Sequence, residues 1–357
     1  MIVSYHASQE QFTPRDLLAY TLLAEEAGFD ACHSSDHFHP WSKRQGQSGY
    51  TFAWLGAAMQ ATQFPFSMVN APGQRYHPAI VAQAIATLNQ LFPERLDVAF
   101  GSGEALNEKI TGEEWPEKPD RNQRLLESVT VIRRLLQGET VTHDGFVKVN
   151  EATLYTRSET MPLLMGAALT EETAHWLGSW ADGLLMPHDT EEVMQRMIHA
   201  FREGGGVNKP VHVQIPLSYA RTSSEAIHEA HHQWRSNVLP YNELADLYLP
   251  EHFDQKTAHL KPEDVVRMLA FRLNSQPLFR VAPIFCNIEL YPEVTGTRRL
   301  SSRSLVWVLY NSREPEIRSF KNPKSTPMLT VFDISHRNSG LGITFNAYPK
   351  AGSAPNA

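Results

Sequence analysis

Two short stretches of this chain combine residue types that can move protons. The first reads Ser34-Ser35-Asp36-His37-Phe38-His39-Pro40-Trp41. A buried aspartate paired with a histidine can select the imidazole tautomer and hold its pKa near neutrality, which suits proton transfer at an adjacent substrate. The same residues also allow a hydrogen-bonded cluster that ties the turn together, or a His37-x-His39 metal pair of a barrel hydrolase. The metal reading asks for carboxylates and histidines at later strand ends, where Met186-Pro187-His188-Asp189 is the only partial partner. The second stretch is Gly101-Ser102-Gly103-Glu104-Ala105-Leu106-Asn107-Glu108. Its glycines allow a tight turn with exposed backbone N–H groups, and Glu104 is thrown forward as an acid or base, unless the turn is purely structural. A dinucleotide fingerprint fails, because Leu106 stands at the third glycine position. Trp41 and Trp54 can wall a flat ring or pack a core. Gly204-Gly205-Gly206 fits a helix cap better than a phosphate nest.

Both stretches follow short apolar segments. Strands are expected at Ile2–Ala7, Ala31–Ser35, Phe66–Ala71, Leu96–Gly101, Pro162–Ala168, Gly183–Pro187 and Val211–Tyr219. Helical patterns lie between and after them, at Pro14–Ala27, Phe52–Ala61, His77–Leu91, Arg121–Leu136, Glu171–Trp180, Glu191–Arg202 and Ser224–Val238, with a further helix at Lys261–Leu269. Thr13-Pro14 supplies an N-cap and a first-turn proline. Strict alternation of this kind implies right-handed crossovers and a parallel sheet, and a closed (β/α)8 TIM barrel is favoured over an open doubly wound sheet. Barrel chemistry sits at the C-terminal ends of the strands, where both stretches fall. Insertions at Glu139–Thr156 and after Val238 are too long for simple loops and are expected to cap the mouth or to pair subunits.

The formal charge of −7 argues against a nucleic-acid surface, and no stretch approaches the apolar length of a membrane span. Met1 enters a strand with no signal-like segment, so a cytoplasmic protein is expected. Cys32 and Cys286 make neither a disulfide framework nor a zinc cage. The charge is unevenly spread: residues 272–357 hold 11 Lys and Arg against 5 Asp and Glu, about +6, leaving 21 against 34, about −13, for residues 1–271. Two segments follow, a barrel over 1–270 and an atypical, poorly ordered C-terminal segment over 271–357, where the last strand and helix are not legible.

Four motifs in order carry a family resemblance: Tyr5-His6-Ala7-Ser8-Gln9-Glu10-Gln11-Phe12, Ser35-Asp36-His37-Phe38-His39-Pro40-Trp41, Gln74-Arg75-Tyr76-His77-Pro78-Ala79 and Gly101 to Glu108. Together they resemble the bacterial luciferase-like flavin oxidoreductases, in the branch of the deazaflavin-dependent glucose-6-phosphate dehydrogenases and its non-deazaflavin sister group. The resemblance implies a (β/α)8 barrel with a flavin-type ring at its mouth. Hydride then moves between the ring and a small-molecule substrate, or reduced flavin meets oxygen; the cofactor supplies the difficult chemistry. It further implies His37 as the proton-transferring residue, Glu104 as a second acid and Trp41 on the substrate side. Asp36, Gly103, Gly166 and Ala167 are implied at the cofactor, with Met68–Val69 as a non-prolyl cis peptide beneath the ring. Glu10 would border the pocket, and Arg196 and Arg267 would bind a substrate anion. The single glycine of Gly166-Ala167 departs from the relatives' Gly-Gly pair and favours FMN, with a deazaflavin as the alternative. A homodimer is expected from the family, and no metal.

Relatives end with an apolar-apolar-His-Asn strand and a closing helix, and nothing after Ala270 resembles either. Omitting one strand would leave unpaired backbone on two neighbours. The tail therefore reads as foreign or frame-shifted, which re-sequencing of the coding region decides. A metal-dependent hydrolase and a catalytically defective flavin-binding barrel stand as the alternatives.

Overall fold

The computed structural model describes residues 2–218, 223–268, 271–272 and 305–309. Each expected apolar run becomes a strand, the first with its expected bounds and the others shorter by a residue or two at an end: β1 (Ile2–Ala7), β2 (Ala31–Ser34), β3 (Phe66–Asn70), β4 (Leu96–Phe100), β7 (Leu164–Ala167), β8 (Leu184–Pro187) and β9 (Val211–Ser218). Between β4 and β7 the insertion folds as an antiparallel hairpin of β5 (Val141–Asp144) and β6 (Lys148–Ala152). Glu127 holds it by accepting from the Phe146 N–H at 2.7 Å and pairing with His143 at 3.0 Å.

The seven strands are parallel and neighbours in chain order, β1-β2-β3-β4-β7-β8-β9. A short β10 (Phe271–Arg272) adds to β9, and β11 (Leu305–Leu309) pairs in parallel with both β9 and β1. Leu305–Leu309 therefore takes the eighth place and closes the ring, although the alternation offers no unit there.

Helices follow most strands: α1 (Pro14–Glu26), α2 (Thr51–Ala61), α3 (Pro78–Leu91), the short α4 (Ala105–Glu108), α5 (Lys118–Leu136), α6 (Glu171–Gly178), α7 (Glu191–Phe201) and α8 (Ser223–Trp234). The Thr13 hydroxyl accepts the Asp16 N–H, so the expected N-cap is present. After α8 come two short helices, α9 (Tyr241–Asp246) and α10 (Pro250–Lys256). The expected helix at Lys261–Leu269 is a run of 3₁₀ turns over Pro262–Met268, a form that proline openings and short connectors favour. Among the described residues no helix is long and apolar enough to cross a membrane.

Because strand side chains alternate, each strand serves two layers. Tyr5, Cys32, Phe66, Met68 and Val98 pack outward against the helices. Ala31, Ala99, Met165 and Leu185, with Val69 and Ala167, fill the interior. The interior also holds a polar layer. His6, His33 and His212 are 3%, 1% and 2% exposed, His6 and His33 stack with centroids 5.3 Å apart, and His33 Nδ1 lies 3.2 Å from Ser67 Oγ.

The structure corrects one expectation here. Among the described residues no peptide bond is cis, so Met68–Val69 is trans. That is the bond that keeps β3 in unbroken register, with Met68 opposite Val98 and Val69 opposite Ala99.

Candidate active site

The loops leaving β1, β2 and β4 meet at the C-terminal mouth. After β1, Glu10 is buried, and its Oε2 accepts from the hydroxyls of Ser8 at 2.6 Å and Ser35 at 2.8 Å. Its Oε1 lies 3.3 Å from His37 Nε2, and Glu104 Oε2 approaches the same nitrogen at 3.8 Å. One imidazole thus sits between two carboxylates. Asp36 and His37, in the loop after β2, take different partners and do not pair with each other. Asp36 instead accepts from Asn70 Nδ2 at 2.8 Å, Arg75 Nη2 at 3.1 Å and the Tyr76 hydroxyl at 3.1 Å. The carboxylate partner of His37 is Glu10, and the expected Asp36–His37 couple is corrected accordingly.

The two carboxyls around His37 are pushed apart in acidity. Burial raises the Glu10 pKa, but His37 and the hydrogen bonds from Ser8 and Ser35 outweigh it and leave Glu10 below the usual carboxylate range. Glu104 goes the other way: the desolvation of its carboxyl, reinforced by the Glu10 charge, exceeds the opposing pull of His37 and Arg75. Behind them, burial pushes Glu108 up to about 7 against the pull of Arg75. Arg75 joins Glu108 to Asp36: its backbone N–H donates to Glu108 Oε2 at 2.8 Å, and its Nε stands 3.5 Å from Glu108 Oε1.

Trp41 faces His37 with ring centroids 5.0 Å apart, and Phe253 of α10 meets it edge-on at 5.5 Å and 89°. Leu106, Leu244 and Phe253 form an apolar cluster with Trp41. An Arg44–Asp254 ion pair fastens α10 to the β2 loop. The insertion after Val238 therefore packs against the mouth. Trp54 is buried in the helix-facing core and does not join Trp41.

Other expected residues divide. Gly103 has φ +84°, and a Cβ there would stand 3.0 Å from Glu108 Cγ, so the turn needs glycine. Gly166 is crowded by Leu177 of α6 and serves helix–strand packing, while Ala167 faces the interior. Of Met68 and Val69, only Val69 faces inward. Arg196 lies on an exposed helix face, its Nε donating to Glu171 Oε1 at 2.7 Å, so an anion would have to compete with that partner. The side chain of Arg267 falls outside the described residues. His39 directs Nδ1 at the Leu106 carbonyl, 2.8 Å away, and among the described residues no group of three His, Cys, Asp or Glu side chains is placed to hold a metal ion.

Asn70, Arg75, Tyr76, Asn107 and Phe253 carry no role in the sequence reading. Arg75, Tyr76 and Asn107 lie inside the quoted motifs, which is the signal that could have found them. For Asn70 and Phe253 the sequence holds none.

A closed parallel barrel with an imidazole set between two carboxyls at its C-terminal mouth is the arrangement of a barrel enzyme. The luciferase-like monooxygenase family matches residues 2–272. The chain is 35% identical over 272 residues to the F420-dependent glucose-6-phosphate dehydrogenase of Beutenbergia cavernae, covering 73% of this chain and 81% of that one. It is 39% identical over 233 residues to the enzyme of the same name from Segniliparus rotundus, covering 61% and 68%. Among solved structures, an F420-dependent secondary alcohol dehydrogenase in complex with an F420-acetone adduct superposes with a TM-score of 0.75 at 27% identity, covering 87% of this chain and 93% of that one. The chain belongs to the luciferase-like monooxygenase family, a family of oxidoreductases. The FMN preference finds no support in these relatives, which are named as F420-dependent.

Proposed function

We propose that this chain transfers hydride between a flavin-type cofactor, a deazaflavin on the relatives' names, and a small organic substrate, with Glu10, His37 and Glu104 handling the accompanying proton. The observation that carries this is the His37 imidazole held between two carboxyls of opposite acidity at the barrel mouth.

The residues present fit a planar ring with an N–H edge. Asn70 Oδ1 is buried without a hydrogen-bond partner, beside the Asp36 carboxylate, and so is an acceptor in need of a donor. Val69, Gly101 and Ala167 are small or slim groups on the same strand ends, and a Cβ on Gly101 would meet nothing closer than Ala167 at 3.8 Å. Asp36 and Asn70 would hold the polar edge, and Gly103 would keep the turn out of the way. When bound, such a ring supplies hydride donation or acceptance.

The protein's share is the proton. Oxidation of an alcohol frees one proton from oxygen for each hydride that leaves carbon, and reduction of a carbonyl consumes one. His37 is placed to exchange it, Glu10 stabilises the imidazolium, and Glu104 can store it. Trp41 and Phe253 keep an apolar wall beside His37, which strengthens the charge interactions by excluding water.

His37→Ala should leave cofactor binding intact while turnover falls by roughly 10²–10⁴-fold, the usual worth of a positioned acid or base. Titration with F420 and with FMN, followed by absorption, measures the first; reduction of the bound ring by a panel of alcohols measures the second. Unchanged turnover in His37→Ala removes His37 from the chemistry, and failure to bind either ring removes the reading as a whole.

A further inference from the structure

Asn107 makes more polar contacts in the site than its motif suggests. It is buried in α4, directly after the glycine turn. Its Oδ1 accepts the Phe38 backbone N–H at 2.9 Å and the His39 N–H at 3.4 Å. Its Nδ2 lies 3.1 Å from Glu104 Oε2 and 3.2 Å from His37 Nδ1. An amide has its donors on nitrogen and its acceptor on oxygen, so these neighbours decide which way round it sits. Flipped, it would turn N–H toward two backbone N–H groups and oxygen toward a carboxylate. A donor therefore points at Nδ1 of His37.

A neutral imidazole carries one proton, on one nitrogen or the other. Facing the Asn107 donor, Nδ1 offers its lone pair and the proton rests on Nε2, which looks at Glu10 Oε1 at 3.3 Å and Glu104 Oε2 at 3.8 Å. The opposite tautomer has an acceptor too, the His39 carbonyl 3.2 Å from Nδ1, but it would bring N–H against N–H at Asn107.

We propose that Asn107 is a positioning residue that holds neutral His37 as the Nε2–H tautomer, aimed at the two carboxyls, and ties Glu104 to the same unit through its second N–H. On protonation, Nδ1–H turns to the His39 carbonyl, so Nδ1 has a separate partner for each charge state. The link to turnover rests on the proposed function; the tautomer itself is a property of the protein alone.

Protein with 15N-labelled histidine and no added cofactor is examined by long-range 1H–15N NMR at alkaline pH. The His37 signals are assigned by their loss in His37→Gln. The expected result is Nδ1 unprotonated and Nε2 protonated in the native protein. In Asn107→Asp, which keeps the acceptor for Phe38 and loses both donors, the proton moves to Nδ1. Asn107→Ala should move it the same way, toward the His39 carbonyl, and the remaining imidazole signals report that the fold is kept. If Asn107→Ala does not fold, the near-isosteric aspartate variant decides alone. An Nδ1–H or evenly mixed native tautomer overturns the proposal, as does an unchanged tautomer in the variants. In a competent assay the aspartate variant should lose turnover by roughly 10²–10⁴-fold, the usual worth of a positioned acid or base. A normal NMR result with no activity in the native protein would fault the proposed function and leave the tautomer assignment standing.

Discussion

His6, His33 and His212 give the barrel a measurable acid sensitivity. Burial lowers the pKa of His6 from 6.5 to about 4, with nearby Glu10 opposing and His37 assisting, and lowers His212 to about 3. His33 is lowered by burial and then by the other two imidazoles. The unfolded chain binds protons at ordinary histidine pKa values while the folded chain refuses them. Stability from these groups is therefore complete above pH 6.5 and is lost as pH falls toward about 4. At pH 5 each such imidazole holds back a proton that the unfolded state takes about 1.5 pH units more readily, which costs about 2 kcal/mol per group. His212→Gln carries no such proton. Urea unfolding of the native protein and of His212→Gln at pH 8 and pH 5 provides the test. The variant's loss between the two pH values should be smaller than the native loss by about 2 kcal/mol. Equal losses would refute the reasoning, because His212 would then already be protonated in the fold or be free to become so.

Two further outcomes follow from buried partners. Arg75→Met leaves Asp36 and Glu108 without their shared cation; removing one partner of a buried pair costs about 3–5 kcal/mol. Chemical denaturation should show the larger deficit at pH 8 than at pH 6, since Glu108, already pushed up to about 7, can then bury itself protonated only at a cost. Phe253→Ala empties the position edge-on to Trp41, and truncating a fully buried phenylalanine costs about 3–5 kcal/mol of stability. Tryptophan fluorescence should shift to the red as Trp41 meets water.

The seven consecutive strands were legible because each is a short run with apolar residues between turn formers, followed by a helical pattern. Leu305–Leu309 is just as apolar, but no helical pattern leads into it, and periodicity by itself cannot say which gap a strand fills. The convergence of His37, Glu104 and Glu10 followed from placing three strand ends on one rim. The Asp36–His37 couple failed because Arg75, 39 positions along, claims the aspartate while Glu10 takes the imidazole. Arg196 looked available because sequence hides its partner, Glu171. Phe253 was invisible because its contact with Trp41 depends on how an irregular insertion lies over the mouth.

The pairing of Ile2 with Leu305 joins positions 303 residues apart. During synthesis at about 5–20 residues per second, the first stave of the barrel waits roughly 15–60 s for its final neighbour to emerge. Contacts of such sequence separation slow folding, because their loop-closure entropy must be met before they reward it. For this chain the ring cannot close before Leu305–Leu309 has been synthesised.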